Sequence, residues 1–215
     1  MRWRYKEKEQ ECACEFARLM FDRWQQGLKR RTEAGWKANG PTVGVRIGWE
    51  KTCETCGEEG GSGEATWSYG VEVPMEAKGG TVTLQRLLFG QGGALAGGEA
   101  TVHCGRCGQN RQHRRKQVVR EVRGFVLVAL MRLRADGSKI GRRVTFGMKE
   151  ELPDGTALEL CAVAAHGGES NAGHYVAYLQ QEGGWLLANG GRVTCVSDAE
   201  VKRSEAAMLL YRKVA

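Results

Sequence analysis

Apolar positions follow two different rhythms along this chain. Early on, Phe16, Leu19, Met20 and Trp24 recur at helical spacing with no Gly or Pro between Lys8 and Gln26. That pattern predicts a helix over 8–26, ended from Gly27 onward. Arg30 to Pro41 is polar and reads as a loop. From Val43 to Trp49 the rhythm becomes alternating, as in a strand, and Gly60 to Gly63 marks a turn. Thr66 to Pro74 alternates again, with Trp67, Tyr69, Val71 and Val73 sharing a face. Thr81 suits the N-cap of a short helix, Val82 to Phe89, with Gly90 to end it and a glycine-rich loop over 91–98.

The remainder is strand-like. Thr101 to Val122 is charged and extended, and Phe125 to Leu133 is a nearly continuous apolar run of strand length, as in a buried central strand. Leu158 to His166, His174 to Leu179, Trp185 to Ala188, Arg192 to Val196 and Met208 to Arg212 follow at hairpin spacing. No internal repeat is visible. The chain reads as one β-rich domain opened by a helix.

Composition narrows the function classes. No apolar run approaches the roughly 20 residues that span a bilayer, and the first ten residues, MRWRYKEKEQ, lack the apolar core of a signal peptide. A cytoplasmic or nuclear protein with no membrane contact is expected. Of 215 residues, 41% are hydrophobic, enough for a core, and the formal net charge is +7. The densest basic run, Arg111 to Arg123, holds no aromatic residue on which a base could stack. An acidic partner surface or a solvated strand face therefore explains it better than nucleic acid does.

Eight cysteines in a reducing compartment seldom form disulfides. Four of them make two Cys-x-x-Cys pairs, Cys53/Cys56 and Cys104/Cys107, each followed by glycine (Gly57, Gly108). Two such knuckles supply four thiolates to one ion, a closed tetrahedral site suited to structural Zn2+. Roughly 45 residues separate the pairs, against 15–20 in a compact ribbon, so the insert must itself be folded. His103 beside Cys104 would be a surplus ligand and reads as a strand residue.

One further constellation bears on chemistry. A hairpin joining the strand that starts at Gly173-His174-Tyr175 to Trp185–Asn189 would return Asn189 near His174. Histidine oriented by asparagine is half of a cysteine-protease site, and Gly173 would let a substrate backbone approach closely. On spacing alone, though, a strand histidine reads first as a hydrogen-bonded structural residue. His166, before Gly167-Gly168, competes for the role, and His113 has no evident partner.

The order of these motifs resembles that of the ubiquitin-specific proteases. Gln10-Glu11-Cys12-Ala13-Cys14-Glu15-Phe16 is similar to the family's Gln-Gln-Asp-Ala-x-Glu-Phe helix, with Cys12 in the aspartate's place. Separated Cys-x-x-Cys pairs follow, as in the family's fingers. Then come Leu130-Met131-Arg132-Leu133, Leu158 to Val163, His166-Gly167-Gly168, Gly173 to Tyr178 and a closing strand, Ala207 to Arg212. The resemblance implies an α+β, papain-like cysteine peptidase fold: an antiparallel palm sheet, zinc-ribbon-like β fingers and an N-terminal helix, with most of the thumb missing. It further implies a partial catalytic domain over 1–215, with a fingers insert at about 43–123 and a palm made of 8–26 plus 124–215. By the same resemblance His174 is the general base, Asn189 the third triad member, Gly173 and Tyr175 substrate-binding residues, and Cys53, Cys56, Cys104 and Cys107 the zinc ligands. Ubiquitin or a ubiquitinated protein is the implied partner.

Two departures stand out. No cysteine sits in the family's Gly-Asn-Thr-Cys-Tyr-like nucleophile box, and Gly190 replaces the aspartate that usually follows the third triad position. The expectation is therefore a ubiquitin-specific protease-like protein, inactive as it stands, whose uncovered palm surface calls for a partner chain. Alternatives are a non-catalytic ubiquitin-binding module, in effect a pseudo-deubiquitinase, and a zinc-ribbon protein that binds nucleic acid.

Overall fold

The structure, a computed structural model, describes residues 12–33, 43–68, 70–75, 80–91, 93–170 and 172–214. Helix α1 spans Ala13–Glu33 and is followed by strands β1 (Val43–Cys53), β2 (Glu59–Ser68), β3 (Gly70–Pro74) and β4 (Val82–Thr83). Helix α2 (Leu84–Phe89), β5 (Gly98–Cys104), β6 (Gln109–Met131), β7 (Val144–Thr145) and β8 (Lys149–Glu151) come next. The chain continues through β9 (Ala157–Gly168), β10 (Gly173–Gln181), β11 (Gly184–Asn189), β12 (Arg192–Val196), α3 (Asp198–Arg203) and β13 (Ala206–Lys213).

Among the described residues, eleven strands form one sheet whose main path runs β12-β11-β10-β9-β13-β6-β1-β2. Strand β6 is its spine. Its first half is flanked by β1 and β5, both antiparallel to it, and its second half by antiparallel β13 and parallel β3. The expected boundary between 123 and 124 thus falls inside a single strand. Gly124 takes a positive φ of 41° there, and Val43 pairs with both Gly124 and Phe125, so one extra residue is absorbed as a bulge rather than a break.

Alternation along β6, and a register shift between Ala206 and Met208 at the start of β13, divide the packing. Val126, Val128, Leu130, Leu209 and Tyr211 enter the main core with Leu84, Leu88, Val144, Phe146, Leu160, Val163 and Trp185. On the other face Ala129 and Ala207 pack with Cys14 of α1, flanked by Cys12, Tyr175 and Met208. Small residues at this contact let α1 approach the sheet closely. The helix leaves Phe16, Met20 and Trp24 37–45% exposed along its outer stripe.

Several expectations are corrected. The first helix runs through Gly27 to Glu33 instead of ending near Gln26, because a single glycine costs about 1 kcal/mol in a helix and does not terminate it. Residues 8–11 of the predicted helix lie outside the described residues. The short helix begins at Leu84, not Val82, and its cap is Thr83, whose Oγ1 accepts from the Arg86 amide at 3.2 Å. Val82 and Thr83 are β-branched and pair instead with Val144 and Thr145. The 66–74 strand is two strands, and Tyr69 between them lies outside the described residues. Helix α3, capped by Ser197, and the short strands β7 and β8 had no visible sequence signal.

The basic run of β6 resolves into partly paired surface. Arg120 meets Glu50 at 3.1 Å, Arg114 meets Glu54 at 3.5 Å, and the Arg115 guanidinium lies 4.5 Å from the Trp49 ring centre. His113, for which the sequence offers no evident partner, is buried between β1 and β5 with Nδ1 2.9 Å from the Arg111 carbonyl. Among the described residues, no helix is long and apolar enough to cross a membrane.

Candidate active site and metal centre

The two cysteine pairs occupy turns after β1 and β5, at the far end of β6. Each turn closes by a backbone bond, Gly57 N–H to Cys53 O at 2.9 Å and Gly108 N–H to Cys104 O at 3.0 Å. Gly57 and Gly108 hold φ values of 70° and 67°, which glycine adopts without strain. The turns bring Cys53, Cys56, Cys104 and Cys107 together, with all four ligand atoms within 4.8 Å of one another. Cys53 Sγ lies 4.0 Å from Cys107 Sγ, and Cys56 Sγ lies 3.6 Å from Cys104 Sγ. The four are positioned to hold a metal ion.

The electrostatics of the cluster are uneven. Burial opposes the Cys53 thiolate, but amides of Cys56 and Thr55 donate to it and hold the thiol at about 6. Cys104 is pushed up to about 12 by the Glu58 carboxylate, which lies 2.9 Å from its sulfur and also accepts from the Arg106 amide at 3.0 Å. Glu58 therefore ties the first turn to the second. Sequence reasoning does not single it out; a glutamate after Cys-x-x-Cys-Gly carries no signal until the turns face each other.

At the other end of the molecule, β10 and β11 pair with Ala177 opposite Ala188. This register carries Asn189 back to His174. The imidazole Nε2 lies 2.6 Å from Asn189 Oδ1. An amide oxygen only accepts, so Nε2 carries the proton in this bond. Among the described residues, Nδ1 of His174 has no hydrogen-bond partner. Gly190 begins the β11–β12 hairpin loop with φ of 57°, the left-handed conformation that two-residue hairpins demand. Glycine here answers a turn requirement.

Behind His174 lies a layer of support. His166 is 6% exposed, pairs with Tyr175 across β9–β10, and stacks on its ring with centroids 4.5 Å apart. His166 fills the space where a side chain at Gly173 would stand, so only glycine fits this position. Burial first, then the nearby Lys139, pushes the His166 imidazole below its ordinary range. Lys139, also buried, donates to the carbonyls of His166 at 2.7 Å and Gly168 at 2.9 Å and pairs with Glu205 at 3.0 Å. Tyr175 turns toward α1, where its hydroxyl accepts from the Ala13 amide at 3.3 Å. Arg132 is 5% exposed and spends its guanidinium on three carbonyls: Ala206, Ile140 and Arg142, at 2.7, 2.9 and 2.7 Å. No spacing rule points to Lys139 or Arg132 as support; their partners converge only in the fold.

The fold and this pair of sites define a class: an antiparallel palm sheet that carries a histidine–asparagine pair at one end and a four-cysteine cluster on a β extension at the other. A family model described as ubiquitin carboxyl-terminal hydrolase matches residues 2–211, and the chain belongs to that family. Ubiquitin carboxyl-terminal hydrolase cyk-3 of Caenorhabditis elegans is 30% identical over 128 residues, 54% of this chain and 11% of that protein. Chicken ubiquitin carboxyl-terminal hydrolase 2 is 26% identical over 174 residues, 74% of this chain and 48% of that protein. The human ubiquitin carboxyl-terminal hydrolase 21 match is also 26% over 174 residues, 31% of its length. Among solved structures, the SAGA Ubp8/Sgf11/Sus1/Sgf73 deubiquitinating module bound to ubiquitin aldehyde superposes with a TM-score of 0.75 at 16% identity, covering 96% of this chain and 50% of that one. The chain thus spans half or less of the length of these relatives, and the fold it shares with them is the ubiquitin-specific protease fold.

Proposed function

We propose that these residues are the palm and fingers of a ubiquitin-specific protease, that they grip ubiquitin, and that the 215-residue chain by itself does not turn it over. The observation that carries this reading is the His174–Asn189 contact of 2.6 Å, with Nδ1 of His174 left without a partner among the described residues. In the family's chemistry a thiol would occupy that place. His174 would take its proton, Asn189 would keep the ring oriented, and the thiolate would attack the carbonyl after ubiquitin's last glycine. An acyl-enzyme would form, and water would release ubiquitin. Gly173 and Tyr175 would line the approach of the ubiquitin tail.

Each cysteine of the chain has another placement. Four form the metal cluster, Cys12 and Cys14 lie against Tyr175 on the α1 side, and Cys161 and Cys195 sit in β9 and β12. The residues match no nucleophile position, which supports a binding role for this polypeptide alone and a full hydrolase only when a thiol-bearing segment is joined to it. The division into fingers near 43–123 and a palm formed by 8–26 and 124–215 belongs to the same proposal. A cytoplasmic or nuclear setting fits the eight free thiols. Zinc suits the cluster: a tetrahedron with Zn–S bonds of about 2.3 Å has edges of about 3.8 Å, close to the observed 3.6 and 4.0 Å. When bound, zinc would hold the fingers rigid; the four ligands leave no open position for substrate.

A ubiquitin probe ending in a thiol-reactive electrophile tests the reading. Reversible binding of ubiquitin with no covalent adduct is expected. Rapid labelling, mapped to a particular cysteine, would overturn the inactivity, and absence of binding at high micromolar ubiquitin would remove the binding role.

A further inference from the structure

The ladder partners of β6 change along its length, and on one side they leave a gap. Residues 113–115 pair with both β1 and β5, so those two strands flank β6 on opposite sides. Phe125 pairs with Val43 of β1 and with Arg212 of β13, so β13 lies on the same side as β5. On that side β5 stops at Arg115, and β13 takes over only at Phe125. Among the described residues, no strand pairs with 116–119 there and no turn or loop bond between backbone groups reaches them. Next comes Arg120, the extra residue of a bulge against Arg46 and Ile47, which ends the regular edge.

The gap has a local cause. Upstream of Gly98 the chain does not continue alongside β6. The amides of Ala94 and Leu95 donate instead to the Leu87 and Leu88 carbonyls at the end of α2, at 2.8 and 2.7 Å, and Leu95 is drawn into the main core. What remains is a cleft of about 450 Å³. Its strand wall is the consecutive run Lys116 to Arg120. Side chains of a strand alternate between faces, so a cleft lined by consecutive residues looks onto the strand's edge. Phe89, Leu95 and Val119 supply apolar surface, and Pro153 and Asp154 complete the lining. Those last two residues lead into the start of β9, whereas His174 pairs with Gly167 near its end, so the cleft is remote from the histidine half-site.

We propose that this cleft takes an extended, acidic peptide segment of a partner protein, which adds to β6 as a strand in the place that β5 vacates. The proposal is independent of any action on ubiquitin. Hydrogen-bond complementarity names the occupant. An open strand edge offers alternating N–H and C=O groups, and the backbone of an extended chain matches both. At about 3.3 Å per residue, roughly four or five residues cover the edge. Alternate side chains of that segment would rest on Phe89 and Val119. Charge selects among peptides. From Arg111 to Arg123 the strand carries Arg111, Arg114, Arg115, Lys116, Arg120 and Arg123 against Glu121 alone. Arg120 and Glu50 pair with each other at 3.1 Å, while Lys116 is exposed and makes no ion pair among the described residues. Asp154 opposes a carboxylate on its own side, so the acidic side chains belong beside Lys116.

The test is fluorescence anisotropy with the full-length, zinc-loaded chain and a labelled hexapeptide of alternating glutamate and valine. Saturable binding is expected, with slowed hydrogen exchange at the amides of 116–119. Two further peptides carry methyl groups on the backbone nitrogens of the glutamates or of the valines. Only alternate amides of an added strand face β6, so one of the two should bind about tenfold more weakly and the other nearly as well as the parent. A lysine–valine peptide should bind about tenfold more weakly than the parent, and Lys116→Glu should weaken the parent about threefold. No binding at millimolar peptide, two methylated peptides that bind alike, equal affinity for the lysine–valine peptide, or protection that spares 116–119 would overturn the proposal. The peptide series and the exchange map use the wild-type chain, so they decide the matter even where the variant does not fold.

Discussion

The 23-residue strand β6 passes through two regions held together by different means. Over 125–131 it lies between β3 and β13 and sends Val126, Val128 and Leu130 into an apolar core shared with helices and strands from across the chain. Over 109–123 it is flanked by β5 up to Arg115 and by β1 from His113 onward, and the alternating residues are mostly Arg, Lys, Gln and Val. That end buries Val45, Val122 and His113, and it terminates in the four cysteines. Where a strand can bury side chains on a second layer, hydrophobic burial is enough. Val45 and Val122 still join the main core; beyond them apolar burial is sparse, and the four cysteines are placed to add ligand bonds to an ion.

The comparison can be broken most forcefully at the cysteine end. A structural thiolate site contributes an apparent 10–16 kcal/mol in small zinc domains, by order of magnitude. Cys104→Ser should abolish metal binding and speed hydrogen exchange across β5 and 109–120, while amides over 126–130 stay protected. Loss of protection along the whole strand would show that the two regions are one cooperative unit. At the palm end, Leu130→Ala should cost about 2–5 kcal/mol in urea unfolding, since Leu130 is fully buried. Metal content should remain unchanged; metal release by this variant would contradict separate stabilisation.

A finer probe lies in the support behind His174. Gly173→Ala would drive a methyl into His166 Nε2 and should cost roughly 1–3 kcal/mol as overpacking. Combining it with His166→Ala should recover part of that loss; simple additivity would mean the two do not meet. The smallest effect is a pH dependence. His166 has its folded pKa lowered by burial, so the unfolded chain takes up its proton first as pH falls. Stability is then fully present above the unfolded value of about 6.5 and declines below it, until pH passes the folded value, by at most about 1.4 kcal/mol per pH unit. His166→Gln should flatten this slope, and an unchanged slope would assign it to other groups.

What the sequence made legible follows from the range of the forces involved. The cysteine pairs and their glycines are local, so spacing alone exposed the cluster, and the apolar run from Phe125 announced a central strand. Asn189 could be brought to His174 by counting along one hairpin. Residues whose meaning depends on distant partners stayed hidden: Glu58 waits for Arg106 and Cys104, Lys139 for His166 and Glu205, Arg132 for Ala206. Thr83 displaced Thr81 as a cap because β7, some sixty residues later, claims Val82. Gly190, a departure from the family's aspartate in sequence, also meets the hairpin's demand for a positive φ, which only the strand pairing reveals.

Strand order also sets how this molecule must assemble in time. β13 is inserted between β6 and β9, pairing with both. Those two strands make no ladder with each other among the described residues, so the sheet is two separate halves until β13 arrives between them. Closing it requires residues near 128 and 163 to meet partners near 209, contacts of long sequence separation whose loop entropy is spent before any is repaid. The palm therefore closes late and in one step, with the edges of β6 and β9 open to foreign strands until then.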